Sequence, residues 1–153
     1  EYLGVKLSHA SVIRRVWDLL GDDRIYQFGI RSGERAEWKW AQEGHTKLTP
    51  FDFTGLEAVL KKIEGKPIYF TIDLDVLDPA YFPGTGTPEA GGVTFLDLLG
   101  ATRKVISCAN VVACDLVELA PLLDASGVST AVALKLLREM LLMQELPFLR
   151  PKK

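Results

Sequence analysis

"YFTIDLDVLDPAYFPGTGTPEAGG", residues 69–92, carries a run of β-favouring residues into three aspartates and then into a loop of glycine, threonine and proline. The apolar stretch "KPIYFTIDLD" reads as a strand of a parallel sheet covered by helices, because such strands are greasy nearly throughout. Functional side chains of an open α/β sheet gather outside the carboxyl ends of its strands, and Asp73 and Asp75 hold that place. Residues two apart on a strand face the same side, so two carboxylates there repel each other unless a cation or a shared proton relieves them. Hard oxygen donors of this kind favour Mg²⁺, Mn²⁺ or Ca²⁺ over the thiolate-loving metals. The plainer alternative is that the aspartates cap the following turn, as Asp78-Pro79 is expected to do.

The loop that follows has glycines, but no Gly-Lys-Ser/Thr sequence, and Pro83 and Pro88 remove backbone donors, so a phosphate-cradling loop is not expected. Its stiffness suits the wall of a site, with Thr85 and Thr87 offering hydroxyls.

Outward from this stretch, strands alternate with helices. Ser11 to Leu20 has apolar residues at helical spacing between an N-cap serine and Gly21, and "RIYQFGI", residues 24–30, reads as a strand. A polar helix from Glu34 to Glu43 follows. Thr54-Gly55-Leu56-Glu57 resembles a capping box opening a helix to Glu64, and Thr94-Phe95-Leu96-Asp97 opens another that ends near Ser107. "NVVACDLVEL" is the next strand, and Ser129 to Gln144 a long final helix. The pattern predicts an α/β fold with a mainly parallel sheet covered by helices.

Composition fits that picture. A chain of 153 residues with 48% hydrophobic residues can build a core, and a net charge of -2 supplies no basic excess for nucleic acid or acidic lipid. Apolar runs such as Val111 to Cys114 fall short of the ~20 residues of a membrane span. Cys108 and Cys114, set among apolar neighbours without C-x-x-C spacing, read as buried structural thiols in a reducing cytoplasm.

Glu118 lies near the end of the strand "VVACDLVELA" and is expected on the same rim as Asp73 and Asp75, while Asp115, three residues earlier, is expected to face the other way into a structural hydrogen bond. Of the two histidines, His9 sits just before the first helix, and His45 in "QEGHTK" reads as a solvated surface residue.

"TIDLDVLDPAYFPGTGTPEAGG" resembles the metal-binding signature of the ureohydrolases, the arginase and agmatinase family, and "KLSHAS", "IYQFGIRSGE" and "ACDLVELAPLLDASGVSTAVALKLL" resemble its flanking segments. The wording is closest to the agmatinase branch. The resemblance implies a three-layer α/β/α, arginase-like fold and a site holding two Mn²⁺ ions. By the same resemblance Asp73 bridges the ions, Asp75 binds one of them, His9 shuttles protons and Glu118 binds the substrate's guanidinium group. The implied reaction is hydrolysis of agmatine to putrescine and urea in the cytoplasm, by a homo-oligomer, a trimer or hexamer. "YLGVKLS" has few groups besides Lys6 and Ser8 to hold an amino-acid head, which favours a decarboxylated substrate; guanidinobutyrate or arginine is the alternative.

The family's upstream histidine ligand and Asp-Ala-His-x-Asp motif do not occur in these residues. Residues 1–153 are therefore expected to be the C-terminal part of a single ureohydrolase domain, binding Mn²⁺ weakly and inactive in isolation, because two aspartates cannot fill two metal sites. Two rivals remain: a phosphatase of the haloacid dehalogenase type, disfavoured because its Asp-x-Asp opens the domain, and a non-catalytic remnant or assembly module.

Overall fold

The computed structural model describes the backbone of residues 2–149 and the side chains of residues 2–144. A 3-10 turn, His9–Ser11, leads into α1 (Val12–Leu20), followed by β1 (Tyr26–Ile30), α2 (Arg35–Gln42), β2 (Lys47–Pro50), α3 (Leu56–Lys62), β3 (Pro67–Asp73), α4 (Phe95–Cys108), β4 (Asn110–Val117) and α5 (Val128–Leu149). The expected strands and helices are all present, and β2 is an addition. β1 pairs in parallel with β2, and β3 in parallel with β4, as the helical crossovers between them require.

Local chemistry sets the helix ends. Gly21, with φ 74°, stops α1 by donating its N–H to the Trp17 carbonyl. The Thr94 hydroxyl accepts the Asp97 N–H at 3.2 Å, while the Asp97 carboxylate accepts the Thr94 N–H, so the capping box at α4 forms as its spacing predicts. The one expected at Thr54 does not: Gly55, in the left-handed region at φ 83°, is the N-cap of α3, and Asp52 captures the Thr54 N–H instead.

The main core lies between β3, the loop after it, α4 and α5, built on Ile72, Leu74, Phe82, Leu98 and Leu136. A smaller cluster on Leu56, Leu60 and Val105 lies beneath α3. Phe82 is fully buried, so the glycine-rich loop is anchored by one aromatic residue that its composition obscures. The opposite face of β3 and β4 presents exposed Tyr69, Val112 and Val117. Cys114 and Cys108 are both exposed free thiols, contrary to expectation: Cys114 pairs with Phe70 on β4, a strand paired only with β3 among the described residues, and Cys108 ends α4. Among the described residues no helix is long and apolar enough to cross a membrane.

An acidic rim at the ends of the parallel strands

β3 ends at Asp73, and the chain turns at once through a 3-10 turn, Leu74–Val76. The Asp73 Oδ1 accepts the Asp75 N–H at 3.0 Å, so the plainer expectation, a cap on the turn, holds for one of its two oxygens. The turn brings the Asp75 carboxylate alongside that of Asp73. Crowding by surrounding protein atoms, although the residue keeps an exposed surface, is the largest force on the Asp73 carboxyl, followed by the like charge of Asp75. Together, with a smaller push from Glu118, they raise its pKa to about 7 against the pull of the Asp75 N–H. A shared proton or a cation would relieve this crowding and repulsion at Asp73.

Glu118 joins this rim by an unusual route. The register pairs Asp73 with Val117, so strict alternation would carry Glu118 to the other face of the sheet. The backbone at Glu118 instead adopts φ 65°, a left-handed conformation rare for a residue with a Cβ, and leaves the strand as it does so. A Cβ on Gly86 would lie 3.9 Å from the Glu118 Oε2, which places this carboxylate over the glycine-rich loop. Asp115 makes the expected structural bonds, accepting from the Tyr69 and Thr71 hydroxyls at 2.6 and 2.5 Å. Those bonds put it on the face of Thr71 and Asp73, not the opposite one, because the register aligns Thr71 with Asp115.

The loop closes tightly around the rim. Thr87 donates its hydroxyl to the Asp75 Oδ2 at 3.2 Å, giving the second threonine of the loop the wall role its sequence suggests. Asp78 binds the loop back on itself, its Oδ1 accepting the Ala80 N–H and its Oδ2 those of Gly91 and Gly92. These backbone donors, that of Ala80 first, hold its carboxyl below the ordinary aspartate range. The far end of the loop is fixed by Ala120, which donates to the Gly84 carbonyl at 2.8 Å, and by the Ser129 hydroxyl, which accepts from the Gly84 N–H at 2.7 Å.

His9 stands in the turn before α1, exposed, with its ring edge-on to Tyr2 at 5.9 Å. The rim carboxylates are not among its hydrogen-bond partners in the described residues. His45 is not simply solvated: half-buried, it stacks on Trp40 at 5.5 Å and its Nδ1 meets the Asp22 carboxylate at 2.8 Å. Arg31, which no sequence pattern singled out, reaches from the end of β1 to the turn after β3; its only local cue is its position just past a strand that ends at a rim.

As a metal centre the rim fits in kind and falls short in number. Its donors are converging carboxylate oxygens whose repulsion a hard cation would relieve. Two aspartates supply only part of a shell of about six oxygens. Among the described residues, no group of three or more His, Cys, Asp or Glu side chains is arranged to hold an ion.

The chain's similarities point the same way. A family model described as "Arginase family" matches residues 1–143. An agmatinase of Bacillus anthracis is 51% identical over 144 residues, covering 93% of this chain and 50% of the relative. The crystal structure of a Clostridium difficile protein assigned as an agmatinase superposes with a TM-score of 0.91 at 46% identity, covering 97% of this chain and 54% of that one. The agmatine ureohydrolase of Thermoplasma volcanium superposes with a TM-score of 0.81 at 33% identity, covering 95% and 50%. The chain thus spans about half the length of the curated relatives it matches.

Proposed function

The chain belongs to the arginase family, and from that premise we infer that it serves the hydrolysis of agmatine to putrescine and urea, as the C-terminal part of the domain that carries the reaction. The observation that supports this most directly is the convergence of Asp73, Asp75 and Glu118 beside the loop 83–88. Three carboxylates at one strand rim suit a substrate that is itself a cation, and a guanidinium offers a planar fork of N–H donors that a carboxylate accepts in pairs. Glu118 would make that contact, its carboxylate standing over the loop at Gly86.

Asp73 and Asp75 would contribute ligands to a pair of Mn²⁺ ions, whose remaining ligands lie outside these residues. Bound there, the ions would supply the Lewis acidity that makes water a nucleophile near neutral pH. The chain's own residues do the rest. Glu118 holds and orients the guanidinium carbon toward the aspartate pair. Thr87 fixes the Asp75 carboxylate through its hydroxyl. The loop, stiffened by its prolines and pinned by Asp78, keeps bulk water from one side of the site. His9, exposed and free of hydrogen bonds among the described residues, would deliver a proton to the departing amine. A cytoplasmic homo-oligomer, a trimer or hexamer, is the expected form of the whole protein.

The test is urea release by the whole protein, as expressed from its gene, with agmatine, arginine and guanidinobutyrate offered separately with and without Mn²⁺. Release from agmatine alone, dependent on Mn²⁺ and abolished in D75N, is expected. Preference for guanidinobutyrate would move the substrate to a guanidino acid, and no release from any of the three would overturn the reading.

A further inference from the structure

We propose that Arg31 is a positioning residue for the acidic rim, setting the place of Asp75 through the main chain. Its guanidinium leaves the end of β1 and donates to three carbonyls: Nη1 to that of Val76 at 3.0 Å, and Nη2 to those of Asp75 at 2.6 Å and Glu89 at 3.0 Å. Two of these belong to the turn that carries the Asp75 carboxylate, and the third to the loop that carries Thr87, the hydroxyl donor to that carboxylate. One planar fork thus ties together the two segments that must stay in register for Asp75 to face Asp73. A lysine, with a single tetrahedral head, cannot span the same three acceptors in one plane.

Neighbouring contacts reinforce the role. Val76 packs onto Gly29, where a Cβ would lie 2.4 Å from the Val76 Cγ2, so β1 abuts the turn closely enough for Arg31 to reach past it. The neighbouring Ser32 donates its hydroxyl to the Glu89 carboxylate at 3.0 Å, a second tie from the end of β1 to the same loop. Among the described residues the Arg31 Nε is buried without a partner, so the side chain is held there by its two terminal nitrogens. Its positive charge is also felt in that loop at Asp78, whose carboxyl it helps, after the backbone donors, to hold below the ordinary aspartate range.

The proposal rests on the functional reading above, and its test separates the two. In the whole protein, R31A and R31K are compared with the parent by amide hydrogen exchange, by Mn²⁺ uptake in equilibrium dialysis and by urea release from agmatine. Exchange at Gly91 and Gly92 is expected to quicken about tenfold in R31A while the amides of β3 and β4 hold. Mn²⁺ affinity and kcat are expected to fall by about ten- to a hundredfold, with KM little changed because Glu118 still holds the substrate. R31K is expected to fall between, and it carries the test if R31A fails to fold. Unchanged exchange and unchanged Mn²⁺ uptake in R31K, or a loss of thermal stability with kcat intact, would overturn the proposal. If the parent takes up no Mn²⁺ and releases no urea, the functional reading fails, and the exchange result still judges Arg31.

Discussion

Gly92 packs so closely on the backbone of Asp78 that a Cβ built there would lie 2.3 Å from the Asp78 nitrogen. The contact is main chain against main chain, so no side chain can swing away to relieve it. The loop 78–92 leaves and re-enters the fold at this point, where Leu77 and Val93 form an isolated parallel bridge. G92A is therefore expected to cost about 1–3 kcal/mol or more in urea unfolding. G100A in α4 is the contrast, since a Cβ there meets nothing within 4 Å, and removing a helix-interior glycine should stabilise by roughly 0.5–1 kcal/mol. Equal effects from the two would refute the packing account.

That close approach marks the limit of what the sequence discloses. The helices and the strands β1, β3 and β4 were legible because hydrophobic period and caps act locally; Thr94 and Gly21 behave as their positions predict. β2, "KLTP", was not, because four residues with one lysine and one proline have no apolar run, and only pairing with β1 makes them a strand. Asp73 and Asp75 were expected together from strand alternation, but β3 ends at Asp73 and it is the 3-10 turn Leu74–Val76 that carries Asp75 back beside it. Glu118 was assigned to it by the sheet rule, yet strict alternation argues against that place, and a left-handed φ at a glutamate leaves no mark in the sequence. Arg31 was missed because its acceptors are backbone carbonyls 44, 45 and 58 residues away, which no local pattern encodes.

Phe82 is the single large apolar anchor of the glycine-rich loop, fully buried against the main core. Truncation leaves a cavity that the proline-stiffened loop cannot collapse to fill. F82A is expected to cost about 3–5 kcal/mol in denaturant unfolding. L122A, at a residue 98% exposed, should stay within about 0.5 kcal/mol. An F82A cost below that of L122A would show that the loop does not depend on its aromatic.

Asp124 organises the start of α5: its Oδ1 accepts from the Ser126 hydroxyl and N–H, and its Oδ2 from the Ser129 N–H at 2.8 Å. The Ser126 hydroxyl bond first, then the Ser129 donors, hold this carboxyl well below the usual carboxylate range. A carboxyl depressed on folding contributes stability that is fully present above its unfolded value, about 3.9, and is lost as pH falls toward the folded value. Thermal midpoints of the parent should therefore drop steeply below about pH 4. D124N should be less stable than the parent at pH 7, and the gap should narrow on acidification. A gap that stays constant from pH 7 to pH 2 would remove Asp124 from the acid limb.

Glu118 sets stability against function at one position. Its φ of 65° costs a residue with a Cβ about 1 kcal/mol relative to glycine, which adopts that region freely. A residue kept there against that cost is expected to serve the site, because its carboxylate reaches the rim only through the kink. E118G should thus unfold at the same or higher denaturant concentration than the parent while the whole protein loses agmatine hydrolysis. E118Q keeps the shape but offers one acceptor in place of a charged pair, so it should raise KM for agmatine more than it lowers Mn²⁺ uptake. The two variants divide the roles: backbone relief appears in unfolding, substrate contact in KM. If E118G both folds less stably and keeps its KM, the left-handed turn is a structural need of the strand end, and the guanidinium must be held by another group.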